Sequence, residues 1–302
     1  MTINNSLDIV LPVLNEERDL VPAVEKLLSF LPDNLQEYDW RIVIADNGST
    51  DETPAICEEL SRNNQRVDFI RLEERGRGRA LKTAWRESDA GVVAYMDVDL
   101  SAGLDALPQL VRAVAHEGYD IAIGSRLTRG ARVVGRSLSR EIISRSYNLL
   151  VRAVFATELL DLQCGLKAVN LQTARGVISL VRDDGWFFDS EMLIIAEKSG
   201  YRIKEVPIHM TDNPNSSVAI IPTAYEDLKG LLRLRFGGLR QASRSLRLRH
   251  NQDVAQPNGK AEFGNPGDPS GVVSQRGKTR PDEVSKTQRI RRRTKRPHCE
   301  PT

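Results

Sequence analysis

The chain has 302 residues, 40% of them hydrophobic and 28% charged, with a formal net charge of +2. That composition excludes a disordered or fibrous protein and leaves room for one large domain or two small ones. Cys57, Cys164 and Cys299 are far apart and odd in number, which fits neither a disulfide framework nor a zinc site and points to free thiols in a reducing compartment.

Leu7 to Val13 reads as a buried strand, and Asn15-Glu16-Glu17-Arg18-Asp19 opens a helix to about Leu31, with acids in its first turn where the helix dipole favours them. Strand Trp40–Ala45, a helix from about Glu52 to Arg62, strand Val67–Leu72, a helix from about Arg79 to Glu87 and strand Val92–Met96 follow. This alternation makes βαβ units and a parallel sheet, whose ligands sit beyond the carboxyl ends of the strands. Three such ends are polar: Asn15-Glu16, Asp46 to Asp51, and Asp97 to Ser101. Asp97 and Asp99 are i and i+2, which share one face in a continuing strand, and two hard oxygen ligands suit Mg2+ or Mn2+ bridging to a phosphorylated substrate. The competing reading is a strand followed by a solvated loop. Between the third and fourth strands, Glu74-Arg75-Gly76-Arg77-Gly78-Arg79 is a glycine-rich basic loop leading into a helix. It suits a diphosphate but is neither a Walker loop nor a Rossmann fingerprint, and a plain surface turn is the alternative.

Tyr119–Gly124 is a further strand ending in Gly124-Ser125-Arg126, and a helix apolar on most faces runs from Ser139 to about Ala156. Such a helix is buried or dips into lipid. Arg140, Ser144 and Arg145 near its start suit a phosphate, or else are solvated charges flanking a core helix. Asp161 to Lys167, a strand-like Ala168-Val169-Asn170, a helix opened by Gly185 to Glu191 and running to about Ser199, and strand Ile203–Val206 complete the body. Asp189 and Glu191 beside aromatic residues are carboxylates for which a raised pKa or a tight partner is expected, with helix capping by Asp189 as the alternative.

From Lys229 to the end 18 basic residues stand against 6 acidic ones, and before it 25 against 35. The acidic body argues against a nucleic-acid ligand. Residues 229–250 are basic and amphipathic and suit an anionic membrane surface, while 251–302 are too polar for a core and read as a disordered basic tail. The first residues lack a signal-peptide pattern, and no run of about eighteen apolar residues occurs. A cytoplasmic protein that does not itself span a membrane is expected.

Leu11-Pro12-Val13-Leu14-Asn15-Glu16, Asp46-Asn47-Gly48-Ser49-Thr50-Asp51, Gly76-Arg77-Gly78, Met96-Asp97-Val98-Asp99-Leu100, Gly124-Ser125-Arg126 and Asp161 to Lys167 occur in this order. Together they resemble a family 2 glycosyltransferase, and within it the dolichol-phosphate mannose synthase group, over roughly residues 7 to 235. The resemblance implies a glycosyltransferase-A type α/β fold, a mostly parallel Rossmann-like sheet flanked by helices, with residues 1–228 as the catalytic domain and amphipathic helices and a tail beyond it. It implies inverting transfer of a hexose, with mannose from GDP-mannose first, from a nucleotide sugar to a dolichyl or undecaprenyl type of polyprenyl phosphate. Pro12, Asn15, Glu16, Asp46, Arg77 and Val98 would then bind the nucleotide sugar. Asp97 and Asp99, with Ser101 beside them, would hold the divalent metal. Arg126, Arg140 and Ser144 would grip the acceptor phosphate, and Asp189 and Glu191 would orient the sugar or those arginines; Asp97, Asp99, Arg126 and Arg140 count as catalytic. Ser101 stands where the family often has glutamine, and Asn47 where it often has a second aspartate. Peripheral attachment on the inner membrane face, through 139–156 and 229–249 and with a membrane-protein partner, completes the expectation. The competing functions are UDP-glucose as donor, a soluble acceptor, and a silent nucleotide-sugar binder.

Overall fold

The computed structural model describes residues 5–211, 220–239, 243, 244, 246 and 287–288. Residues 212–219, most of the expected basic segment at 240–250 and nearly all of the expected tail lie outside them. An eight-stranded sheet runs in the order β10-β3-β2-β1-β4-β7-β5-β8, formed by β1 (Ser6–Val13), β2 (Asp39–Asn47), β3 (Val67–Leu72), β4 (Val92–Met96), β5 (Ile121–Ser125), β7 (Leu166–Asn170), β8 (Ile203–Pro207) and the two-residue β10 (Thr287–Gln288). A separate two-stranded sheet pairs β6 (Arg132–Val134) with β9 (His209–Thr211). The helices are α1 (Leu20–Asn34), α2 (Thr53–Asn63), α3 (Arg77–Glu87), α4 (Leu107–Ala115), α5 (Leu138–Phe155), α6 (Leu171–Ile178), α7 (Phe188–Ser199) and α8 (Ile220–Phe236).

The sheet is buried on both faces, as near-continuous apolar strands require. Leu7, Ile9 and Leu11 of β1 join α1 and α4 in one core, whereas Val10 looks the other way into a core built with α3, α6 and α7. Asp8 interrupts that pattern and is buried, but Arg41, its register partner on β2, forks onto both its oxygens at 3.0 and 2.6 Å. A buried charge so paired avoids the cost of desolvation without a partner.

Register decides which loops meet. β1 pairs in parallel with β2 as far as Val13 and Asp46, and with β4 as far as Val10 and Tyr95, so the loops after all three emerge at one edge. β7 is antiparallel to β4, with Met96 opposite Leu166. Its leading loop, 161–165, therefore arrives at that same edge.

Two local expectations change. Residues 15–19 form a turn rather than the start of α1, because the backbone N of Asn15 and of Glu16 donate to Ser49 Oγ and Thr53 Oγ1, and Asn15 takes a left-handed φ of 56°. Asn tolerates that conformation better than most residues, and its Oδ1 accepts the Thr50 N–H in return. The glycine-rich loop is also shorter than expected, since α3 already begins at Arg77. α4, α6 and the β6–β9 pair went unforeseen, α4 and α6 being only 9 and 8 residues long.

α8 crosses the boundary expected at residue 228 and is seated on the body: Leu231 and Leu234 are buried and Arg233 donates to Glu191 at 2.8 Å. Gly230 lets the helix approach, because a Cβ there would overlap the ring of the buried Phe187. Gly230→Ala should therefore destabilise the protein by about 1–3 kcal/mol through overpacking, read as a lower midpoint in urea unfolding.

Candidate active site at the carboxyl edge of the sheet

At the end of β2, Asp46 is fully buried. Its Oδ1 accepts the Ser49 N–H at 3.0 Å, while Oδ2 has no hydrogen-bond partner and stands 3.8 Å from Arg71 Nε. A buried, unsatisfied carboxylate oxygen is costly and marks a place prepared for a donor. Asn47 beside it has a structural use: its Oδ1 accepts the Gly76 N–H at 2.5 Å and ties this loop to the glycine-rich one. Pro12 is half-buried on β1 opposite Ala45, and Glu16 follows in the braced turn.

β4 stops at Met96, so Asp97 and Asp99 do not share a strand face; they lie on a tight turn closed by Leu100 N to Asp97 O at 3.0 Å, with Leu100 at φ 51°. Val98 lies within this turn. The turn forms because Asp97 N already donates to Gly165 O at 3.0 Å. Gly165 is required there, since a Cβ would overlap the Asp97 carboxylate. Asp99 accepts the Ser101 N–H at 3.0 Å. Opposite them, partial burial and then the charges of Asp19, Asp99, Asp51 and Asp97 push the Glu16 carboxyl up to about 7. This is an edge with an excess of hard, negative oxygen donors, the set that suits Mg2+ or Mn2+. Among the described residues no three acids, histidines or cysteines are grouped as a complete metal cage. The residues fit a cation that keeps water or substrate oxygens as its other ligands, held by Asp97 and Asp99.

Beneath Asp97 runs a buried chain of alternating charges. Arg77 donates Nη2 to Asp97 at 2.7 Å and Nη1 to Asp189 at 2.6 Å. Asp189 also pairs with Lys167 at 3.1 Å and accepts a hydrogen bond from Tyr95. Lys167 Nζ donates in turn to Tyr95 Oη at 2.8 Å and to the Cys164 carbonyl at 2.5 Å. Burial alone would raise the pKa of Asp189, but Lys167 and Arg77 outweigh it and hold the carboxyl below its usual value. Arg77 is flanked by the Tyr95 ring at 5.1 Å and the Trp186 ring at 5.2 Å. Its guanidinium is thus committed to aspartates, where the sequence assigned it to the nucleotide sugar. Asp189 has the tight partners expected of it and makes no side-chain cap on α7. Glu191 lies away from this chain, bonded to Asp183 N at 2.8 Å and to Arg233 of α8.

On the far side, Arg126 forks onto the buried Asp161 with Nε and Nη2 both at 2.7 Å. That pair braces the loop that ends in Gly165. Arg140 and Ser144 are one turn apart on α5, whose first turn is capped by Ser137 Oγ accepting from Arg140 N. Ser144 Oγ is buried with no hydrogen-bond partner. The structure therefore brings Glu16 within the charges of Asp97 and Asp99, and puts Arg126 in an internal ion pair and Glu191 in a helix contact. Sequence reasoning missed Tyr95, Lys167 and Gly165; a lysine inside an otherwise apolar strand was the one available signal.

Asp189→Ala leaves Lys167 without its carboxylate partner and Arg77 with Asp97 alone, so a loss of about 3–5 kcal/mol in urea unfolding is expected. The Glu16 carboxyl has a folded pKa, about 7, above its ordinary 4.5. Its contribution to stability is complete below pH 4.5 and disappears as pH rises through about 7. Glu16→Gln removes that slope, so the stability of the native protein minus that of the variant should fall across this window in unfolding curves.

Residues 8–174 match the family described as glycosyl transferase family 2. Glycosyltransferase AglD of Haloferax volcanii is 34% identical over 220 residues, covering 71% of this chain and 34% of that one, so the chain spans about a third of that relative. The dolichyl-phosphate beta-glucosyltransferase of Saccharomyces cerevisiae is 26% identical over 251 residues, covering 77% of this chain and 75% of its own. In fold, the chain is similar to glucosyl-3-phosphoglycerate synthase from Mycobacterium tuberculosis in complex with Mn2+, UDP-glucose and phosphoglyceric acid, with a TM-score of 0.57, 21% identity, and 77% and 80% of the two chains covered. The mostly parallel sheet, the acidic turn after β4 and the family match over more than half of the chain lead to one conclusion: this protein belongs to glycosyltransferase family 2 and has the glycosyltransferase-A type of fold.

Proposed function

We propose that the protein transfers a hexose from a nucleoside diphosphate sugar to a polyprenyl phosphate, with inversion at the anomeric carbon. The observation that carries the acceptor is α5. Arg140 and the unpartnered Ser144 hydroxyl lie on the helix that exposes Leu138, Ile142, Ile143, Leu149 and Leu150. Phosphate-binding groups on a helix with an apolar outer surface suit a phosphate carried on a lipid. α8, which touches α5, adds the exposed stripe Tyr225, Leu228, Leu232 and Phe236, with Lys229 and Arg235 at its margin. Apolar area flanked by cations is the pattern of attachment to an anionic membrane surface. Peripheral attachment is read from these two surfaces; among the described residues no helix is long and apolar enough to cross a membrane.

The donor runs along the edge of the sheet in this reading. Asp46 Oδ2 accepts from the base, Glu16 and Pro12 contact the nucleoside, and the diphosphate reaches Asp97 and Asp99. A divalent cation held by those two aspartates supplies neutralising charge for the departing diphosphate. A lipid monophosphate with a second pKa near roughly 6 is already anionic at neutral pH and needs no strong base. Its oxygen forms a bond to the anomeric carbon from the face opposite the leaving group, and the bond to the diphosphate breaks. The chain's task is to position both phosphates: Arg77 holds Asp97 still, and Arg140 with Ser144 presents the acceptor. For the sugar, the glucosyltransferase names of relatives in Saccharomyces cerevisiae and Dictyostelium discoideum support glucose over the mannose suggested by the sequence resemblance.

Full-length protein with Mg2+ or Mn2+, offered UDP-glucose or GDP-mannose together with polyprenyl phosphate, should move label from one donor into the lipid fraction. Asp99→Ala should abolish transfer, and Arg140→Ala should raise the KM for the lipid phosphate roughly tenfold, the loss of one charged hydrogen bond. Label transferred only to a water-soluble phosphorylated acceptor would defeat the lipid reading.

A further inference from the structure

The chain has three tryptophans. Trp40 and Trp85 are core residues, 7% and 0% exposed, whereas Trp186 is 44% exposed although Phe187 and Phe188 next to it are buried. The ring is held in place all the same. One face lies toward the Arg77 guanidinium, 5.2 Å from its Cζ, and Arg77 cannot swing away because it bridges Asp97 and Asp189. The backbone leading to it is fixed as well: Arg79 N donates to Asp184 O at 3.2 Å, Gly185 N donates to Asp183 Oδ1 at 2.8 Å, and a Cβ on Gly76 would come within 2.6 Å of Asp184 O. An aromatic side chain supported this firmly, yet left open to water, forgoes burial that its two neighbours obtain.

We propose that the open face of Trp186 is the platform on which the hexose of the donor rests, packing its apolar C–H face against the ring. The inference rests on the nucleotide-sugar reading above and names a contact which that reading leaves unassigned. Direction supports it. The base belongs at Asp46 on β2 and the diphosphate at Asp97 after β4, with β1 between them in the sheet. A molecule laid along that line carries its sugar onward toward β7 and the start of α7. That is where Trp186 stands, three residues before Asp189, which touches both Tyr95 of β4 and Lys167 of β7. The same guanidinium that orients Asp97 also backs the ring, so the leaving diphosphate and the hexose are positioned from one support.

Trp40 and Trp85 emit from the core, so the Trp186 signal is read as the difference between native and Trp186→Phe spectra. With Mg2+ or Mn2+ present and no acceptor, the transferred nucleotide sugar should change the Trp186 emission, and the matching bare nucleoside diphosphate should not. Trp186→Ala should raise the donor KM roughly tenfold, the scale of one lost stacking contact, while the inhibition constant of the bare diphosphate moves by less than about twofold. Trp186→Phe should recover most of the donor KM. An equal spectral response to both ligands, an unchanged donor KM, or equal shifts in the two constants would overturn the platform, the last because it would show loss of cover over Arg77 and Asp97 instead. Donor binding is read without acceptor, so a sugar-dependent signal with no transfer to polyprenyl phosphate would overturn the acceptor reading and leave the platform standing.

Discussion

The bridge made by Arg77 between Asp97 and Asp189 is the interaction on which the site depends. A guanidinium buried at this depth is stable only if its charge is met, and here two carboxylates meet it while Lys167 balances the second of them. The result is a line of alternating charges that begins deep between β4 and β7 and surfaces at Asp97. Its members sit on β4, β7, α3 and α7, so the chain ties four elements together at the point where chemistry is expected. The orientation of Asp97 is thereby inherited from the core rather than left to a surface turn.

The direction of β7 has a comparable effect. Because it runs against β4, the loop before it, with Gly165 at its end, meets the turn after β4, and Gly165 supplies both a carbonyl for Asp97 and the space for its carboxylate. Arg126 and Asp161 brace the other end of that loop. Arg126 therefore meets the rest of the site through the loop that it braces. In the proposed function, the apolar outer surfaces of α5 and α8 would bring a lipid-borne phosphate to Arg140 and Ser144.

Trp186 connects the two halves of this account. It stands over the guanidinium that holds the acidic turn, just before the helix that carries Asp189, and is 44% exposed. A rigid aromatic beside a charged phosphate site gives the sugar a contact that does not depend on any one hydroxyl.

Much of the fold was legible in the sequence because parallel strands buried on both faces write themselves as unbroken apolar runs. β3 and β4 begin and end where the pattern places them, and the acidic strand ends identify the edge that carries chemistry. Short elements such as α4 and α6 were not legible, since eight or nine residues give few periods of a helical pattern. The roles of single side chains were the least legible. Asp189 could be recognised as needing a partner, but Lys167, Tyr95 and Arg77 are separated from it by between 22 and 112 residues in the chain. The sequence by itself determined the alternation of strands and helices and the family, because these follow from local periodicity and residue type. Only the tertiary structure decided that Arg77 serves Asp97, that Arg126 is spent on Asp161 and that Trp186 is left open, because charge pairing and burial depend on which distant residues the sheet brings together.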